Sequence, residues 1–152
     1  MPVPDIYVDA DACPVKEEVY RVAERCRCKV FVVTNQGMRV PRGDSVELVL
    51  VGDAFDAADD WIAERVTGSD IVITEDIPLA SRCLEKKALV LAPRGRRFSE
   101  DSIGDALATR ELMSQLRDLG EVSGGPRPFE KRDRSLFLQR LDQAIQEVQR
   151  RP

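Results

Sequence analysis

Apolar residues fall in five short runs along the chain, separated by polar and charged segments. Within each run the apolar residues are consecutive, whereas a half-exposed strand would alternate apolar with polar positions. Consecutive β-branched and aliphatic residues are typical of strands covered on both faces, as in a parallel sheet. The five predicted strands are residues 6–10, 29–34, 46–51, 70–76 and 88–92.

The segments between these runs have the spacing of amphipathic helices. Pro14 stands at a favourable first helical position, and Val15 and Val19 fall on one stripe. The pattern of the second helix places Phe55 and Ile62 on its inner face. The predicted helices are residues 14–26, 53–66, 77–87, 99–120 with an interruption near Gly104, and 130–149.

Alternating strands and helices predict an α/β fold with right-handed crossovers. We expect a three-layer sandwich in which a five-stranded, mostly parallel sheet lies between helices, with the strand order 3-2-1-4-5. The length fits a single domain over 1–152. We divide it into an α/β core, 1–120, and a Gly/Pro hinge with a C-terminal helical appendage, 121–152.

Aspartates follow the predicted strands at their carboxyl ends. Asp9 and Asp11 come at the end of strand one, and Asp76 follows strand four. In an open parallel sheet, ligands bind at the carboxyl ends of the strands, where the strand order reverses. Strands one and four are neighbours in the expected order, so these carboxylates should converge. Asp56 and Asp59, three residues apart, share a helical face that can lean over the same crevice.

The absence of histidine limits the chemistry of such a site. It excludes Ser-His-Asp and Cys-His catalysis and imidazole zinc sites. Carboxylates without imidazole suit Mg²⁺ or Mn²⁺, which serve phosphoryl chemistry. We therefore predict Asp9, Asp11 and Asp76 as metal ligands. The predicted catalytic residues are these three together with Asp56 and Asp59.

A structural interpretation of the same aspartates has to be weighed. An aspartate before a helix is an ordinary N-cap, which by itself would account for Asp53 or Asp76. It does not account for Asp9, which lies inside an apolar run. The residues predicted to position a phosphate are Thr34, Asn35 and Arg39 after strand two, and Arg94 after strand five.

Charge and composition add only a little to this interpretation. The net charge is −4, with 16 basic and 23 acidic side chains in 1–123 but 7 and 4 in 124–152, so an anionic partner would meet local basic groups. No signal peptide and no membrane-spanning stretch is recognisable, and four irregularly spaced cysteines suit a reducing cytosol. We expect a cytoplasmic protein without a membrane partner; the sequence leaves a homodimer open.

Six motifs, in order, resemble the YaiI/YqxD family of uncharacterised bacterial proteins: VDADACPV, VTNQ, FDAADDWI, ITEDIPLA, PRGRRF and GGPRPFEKRDRSLFLQRLD. The resemblance covers nearly the whole chain. That family is similar to PIN-like domains, the fold of Mg²⁺/Mn²⁺-dependent ribonucleases and flap nucleases. The resemblance implies an acidic metal site at the carboxyl edge of the sheet, to which Asp9, Asp11, Asp56, Asp59 and Asp76 correspond. The late acid of better-known PIN nucleases has no match here, because PRGRR follows strand five.

These observations together predict a divalent-metal-dependent nuclease that hydrolyses phosphodiester bonds, with RNA preferred to DNA as substrate. One alternative is a haloacid-dehalogenase-like phosphatase in which Asp9 is the nucleophile. Its lysine should precede the last acidic motif, but Lys86 and Lys87 follow Asp76. Another alternative is a non-catalytic RNA-binding or regulatory module that uses the basic residues around Phe129.

Overall fold

A six-stranded β-sheet forms the middle layer of the protein. The computed structural model describes residues 3–11, 13–120 and 127–151. The strands in these ranges are β1 (Ile6–Asp9), β2 (Val30–Thr34), β3 (Val46–Leu50), β4 (Ile71–Ile73), β5 (Leu89–Leu91) and β6 (Arg97–Phe98). The helices are α1 (Lys16–Cys26), α2 (Ala57–Arg65), α3 (Ile77–Glu85), α4 (Glu100–Asp118) and α5 (Lys131–Arg150).

The strand order is β3-β2-β1-β4-β5-β6, which confirms the predicted order of the first five strands. These five are parallel, and β6 pairs with β5 antiparallel through Val90 and Phe98. The sequence prediction missed β6, because two residues carry no periodicity. The turn before β6 needs Gly95, whose φ is +96° and at which a Cβ would lie 2.7 Å from the side chain of Leu136.

The sheet is buried on both faces, as the consecutive apolar runs predicted. Ile6 and Val8 of β1 contribute to the core under α1 and α5, whereas Tyr7 between them contributes to the core under α2 and α3. This division follows from the alternation of side chains along a strand. The result is the expected three-layer sandwich. No helix within the described ranges is long and apolar enough to cross a membrane.

The last helix belongs to one of these layers and is more closely integrated than an appendage. Phe137 and Leu141 of α5 are fully buried in the same core as α1. Arg134 of α5 donates a 2.6 Å hydrogen bond to the buried Glu18 of α1, which ties the two helices together. Residues 121–126 of the predicted hinge lie outside the described residues.

Two predictions about helix boundaries are wrong. Helix α2 begins only at Ala57, and Phe55 in the preceding loop is 99% exposed, not on an inner face. Helix α4 runs through Gly104 without interruption. A glycine costs a helix only about 1 kcal/mol, and the reciprocal capping bonds between Ser99 and Ser102 start the helix firmly.

Truncation of Phe137 tests whether α5 is part of the core. We expect Phe137→Ala to lower the free energy of unfolding by about 3–5 kcal/mol, since it leaves a cavity under the sheet. The exposed Gln139 on the same helix provides the control, and Gln139→Ala should stay within about 0.5 kcal/mol of the wild type. Urea denaturation followed by circular dichroism measures both. Equal stability of the two variants would show that α5 is dispensable to the core.

Candidate active site

An acidic cavity opens at the carboxyl edge of the parallel strands. Its volume is about 390 Å³, and its lining includes five carboxylates, which belong to Asp9, Asp11, Asp59, Glu75 and Asp76. No lysine or arginine of the described residues belongs to the lining. The cavity therefore concentrates negative charge without an internal counter-charge.

Asp9 ends β1 and reaches into this cavity from the middle of the sheet. Thr74, which follows the neighbouring strand β4, donates a 2.8 Å hydrogen bond from its hydroxyl to Asp9 Oδ2. Burial first, and then the charges of Asp11 and Asp76, raise the pKa of Asp9 to about 6 against the opposing effect of this hydrogen bond. Asp9 thus ionises less readily than a free aspartate, and a nearby cation would favour its charged form.

Asp11 is exposed and is approached from the other side of β1. Thr34, the buried last residue of β2, donates a long 3.5 Å hydrogen bond to Asp11 Oδ1. Thr34 also accepts a bond from the backbone of Gln36, as Thr74 does from the backbone of Asp76. Thr34 at the end of β2 and Thr74 just after β4 therefore donate to Asp11 and Asp9, respectively, from the two sides of β1.

Helix α2 brings its first turn over the cavity. Asp59 is half-buried there, and its pKa is raised to about 6, first by burial and then by the charges of Asp76, Asp9 and Asp56. Asp56 is exposed at the N-cap position, yet its side chain makes no capping hydrogen bond. It lies outside the cavity lining, so α2 contributes Asp59 directly and Asp56 only through its charge.

Asp76 has a structural role as well as a place in the cavity. Its Oδ1 accepts a 2.8 Å hydrogen bond from the backbone of Leu79 and caps the start of α3. Its other oxygen accepts no hydrogen bond from any residue in the described ranges. The N-cap interpretation is therefore correct for Asp76, and it uses only one of the two carboxylate oxygens.

The carboxylates fit a hard cation by their chemistry but do not form a closed coordination site. Within residues 3–11, 13–120 and 127–151, no three carboxylates or cysteines lie close enough together to hold a metal ion. Oxygen donors without imidazole are nevertheless the set that Mg²⁺ and Mn²⁺ prefer. Side-chain rotation, which the exposure of Asp11 permits, would be needed to bring the donors together.

The predicted phosphate-binding residues are distributed differently from the expectation. Asn35 and Arg39 lie exposed in the loop after β2 and are absent from the cavity lining, and Thr34 is occupied with Asp11. Arg94 is turned towards the start of α5, where it donates to the backbone of Arg127 and to Asp133. Arg94 therefore ties the loop after β5 to the C-terminal segment.

Arg94 and Arg127 both pair with Asp133, which is only 4% exposed. These bonds, with that of Arg127 largest, hold the pKa of Asp133 at about 2. Arg132 and Arg134 pair with Glu130 and Glu18. Arg127, Arg132 and Arg134 are therefore paired within the molecule, which makes them less available to an RNA backbone.

The sequence analysis missed three members of the site. Thr74 carried no signal apart from its position after β4. Glu75 is not among the predicted site residues, although it lines the cavity. Phe55 was assigned to the core, but it stands exposed at the cavity. The buried Cys13 also contributes to the lining, and burial raises its pKa, so its thiol stays neutral.

Comparison with known proteins decides the family. The family model described as "Uncharacterized BCR, YaiI/YqxD family" matches residues 7–147. The chain belongs to the YaiI/YqxD family. This match confirms the resemblance predicted from the six motifs, and it includes all five predicted catalytic aspartates.

Relatives within the YaiI/YqxD family match nearly end to end. A UPF0178 protein of Rhodopseudomonas palustris (strain BisB18) is 59% identical over 145 residues, which are 95% of this chain and 94% of the relative. One from Bradyrhizobium diazoefficiens is 57% identical over 96% of this chain and 87% of its own length. One from Azorhizobium caulinodans is 54% identical over 95% and 91%. No solved structure matches the chain.

The raised pKa of Asp9 predicts how stability depends on pH. The folded value of about 6 exceeds the ordinary aspartate value of 3.8, so the stabilising effect of the proton is complete below about pH 4 and is lost as pH rises through 6. Asp9→Asn removes this loss of stability at high pH, since asparagine carries no charge. We expect the variant to be more stable than the wild type by on the order of 1–2 kcal/mol at pH 7.5 in EDTA, and less so at pH 4.

Urea denaturation at the two pH values measures this difference. Asp44→Asn, an exposed loop substitution with the same change of charge, is the control and should leave the stability near the wild-type value. A destabilised Asp9→Asn at pH 7.5 would contradict the assignment of Asp9 to an unfavourable charge cluster.

Two substitutions of Asp76 separate its capping role from its charge. Asparagine retains an oxygen that can cap α3, so Asp76→Asn should be at least as stable as the wild type. Alanine leaves the backbone N–H of Leu79 without its acceptor, and Asp76→Ala should cost about 1 kcal/mol. Thermal and urea denaturation in EDTA measure both. If Asp76→Asn is as unstable as Asp76→Ala, the charge itself supports the fold.

Proposed function

We propose that this protein is a divalent-metal-dependent nuclease, which uses Mg²⁺ or Mn²⁺ to hydrolyse phosphodiester bonds in RNA in preference to DNA. The observation that carries the proposal is the five-carboxylate cavity at the carboxyl edge of the sheet. Burial and mutual repulsion raise the pKa of two of these carboxylates, Asp9 and Asp59, to about 6.

Such a cluster is unfavourable unless a cation or a proton balances it. The described lining contains no lysine or arginine that could do so. Nor does capping explain the arrangement, since Asp9 and Asp11 precede no helix directly and Asp56 makes no capping bond. Clusters of perturbed carboxylates in a cavity are typical of functional sites.

Asp9, Asp11 and Asp76 are the residues that would hold the ion. When bound, Mg²⁺ or Mn²⁺ would polarise a phosphate and lower the pKa of a water molecule. The Asp76 oxygen that does not cap α3 and Oδ2 of the exposed Asp11 accept no hydrogen bond from the described residues, so both are available for this purpose. Thr34 would keep Asp11 oriented, and Thr74 would keep Asp9 oriented.

Asp59 has the properties of a proton acceptor. Its pKa of about 6 places it near the operating range of a general base at neutral pH. It is half-buried on α2, with Asp56 beside it on the same helix. We assign Asp59 to accept a proton at its carboxylate and Asp56 to sustain the raised pKa through its charge.

Two features favour a nuclease over the phosphatase alternative. The phosphatase mechanism requires a lysine in the site, whereas Lys86 and Lys87 follow the C-terminal end of α3, and Lys87 pairs with Glu100. The start of α3, with Asp76, is the end that faces the cavity. The resemblance of the family to PIN-like domains further supports metal-dependent cleavage of RNA.

Calorimetric titration with Mn²⁺ and Mg²⁺ tests the metal site without a choice of substrate. We expect saturable binding by the wild type and by the control Asp44→Asn. The metal affinity of Asp11→Asn and of Asp76→Asn should be at least tenfold lower, because each substitution removes an anionic ligand. Cleavage of a labelled single-stranded RNA should follow the same order and stop in EDTA.

Circular dichroism must show that the two site variants are folded. Metal binding that is unchanged in both variants would contradict the assignment of the ligands. Metal binding by the wild type without cleavage of any RNA or DNA would leave a cation site and would overturn the nuclease proposal.

A further inference from the structure

A surface groove continues from the acidic cavity towards α4. The cavity shares Glu75 with an adjoining depression of about 380 Å³, which also includes Ile77, Arg94 and Arg96. That depression shares Ile77 and Arg96 with a third one, of about 290 Å³, beside α4. The three spaces thus form one path. Carboxylates line the end of this path at the cavity.

The far end of this path is basic. Arg96, Arg110 and Arg117 line it, and Asp105 is the one acidic residue of that lining in the described part of the chain. None of the three arginines forms an ion pair with a described carboxylate. By contrast, Arg97 pairs with Glu147 on the other side. Arg96, in the turn before β6, thus lines the groove, whereas the next residue, Arg97 of β6, is held by Glu147.

A local contact holds Arg96 in place, and helix geometry positions the other two arginines. The guanidinium of Arg96 lies 5.2 Å from the centre of the Phe98 ring, a cation–π distance. Arg110 and Arg117 are seven residues apart on α4, which places them on one side of the helix about 10 Å apart along its axis. Only Ala106 of this 19-residue helix is buried, so the helix offers its side chains to a partner.

The acidic cavity by itself would bind a polynucleotide weakly. A polynucleotide carries its negative charge along the whole backbone, and the carboxylates repel each phosphate that approaches without a cation. The described lining offers no arginine or lysine to offset this repulsion. Affinity must then come from phosphates bound at a distance from the carboxylates, where cations are free to bind them.

We propose that the groove formed by Arg96, Arg110 and Arg117 binds the backbone of a single-stranded RNA whose scissile phosphate lies in the acidic cavity. This inference rests on the proposed nuclease function and specifies its substrate as a strand of several nucleotides. The three arginines lie along one path that starts at the cavity, as the successive phosphates of one strand would require. Dinucleotides would reach the cavity alone and bind weakly.

Binding of a fluorescein-labelled oligouridylate of about 12 nucleotides, measured by anisotropy in EDTA, tests the groove independently of cleavage. The double variant Arg110→Gln/Arg117→Gln should weaken binding about tenfold or more, and the slope of log Kd against log salt should fall by about 1.4. The control Arg21→Gln/Arg140→Gln makes the same change of charge at exposed positions on α1 and α5 and should bind like the wild type. Uridylyl-uridine should compete poorly.

Mn²⁺ titration of Arg110→Gln/Arg117→Gln distinguishes the groove from the metal site. This variant should bind Mn²⁺ with the wild-type affinity, because it keeps all the proposed metal ligands. Unchanged oligonucleotide binding by that variant, or an equal loss in the control, would overturn the groove and leave the nuclease proposal standing. A wild type that binds no oligonucleotide would also overturn it. So would a change in sedimentation mass of the groove variant, since α4 would then be an interface between copies of the chain.

Discussion

The position of β1 between β2 and β4 is the constraint on which the site depends. Parallel pairing in this register aligns the carboxyl ends of three strands at one edge. Asp9 and Asp11 consequently lie between Thr34 on one side and Thr74 on the other. Each threonine donates a hydrogen bond from its hydroxyl to one aspartate. A shift in register would move the threonines away from the carboxylates and leave their charges without donors.

Repulsion between carboxylates is the cost of this arrangement, and the rest of the fold tolerates it. Buried apolar strands and four flanking helices hold the edge rigid, so the aspartates cannot simply move apart. The raised pKa values of Asp9 and Asp59, due first to burial and then to the neighbouring carboxylates, reflect this cost. The clustered carboxylates lower the stability of the fold at this edge, and a bound cation would restore it. Such clusters are common at functional sites.

The C-terminal helix affects the site indirectly. Its buried Asp133 pairs with Arg94, which also lies 4.0 Å from Glu75 at the cavity. Arg94 therefore reaches only Glu75 at the edge of the cavity, while its guanidinium is held towards α5. Since Arg97 pairs with Glu147, Arg96 is the arginine of this segment that lines the groove without an ion pair to a described carboxylate. The tail thus helps to decide where positive charge is available.

The sequence by itself determined the α/β class, the order of the first five strands and the location of the aspartates, because these follow from local patterns. Consecutive apolar residues identify buried strands, and an aspartate at a strand end stays there whatever the strand packs against. It could not assign Arg94, Phe55 or Thr74. The partner of Arg94 is 39 residues away and the partner of Thr74 is 65 residues away, so no local pattern contains these contacts. The exposure of Phe55 depends on the residue at which α2 begins, which periodicity locates poorly. Only tertiary structure decided which charges are neutralised and which remain free, because ion pairs form between residues that the fold brings together from distant parts of the chain.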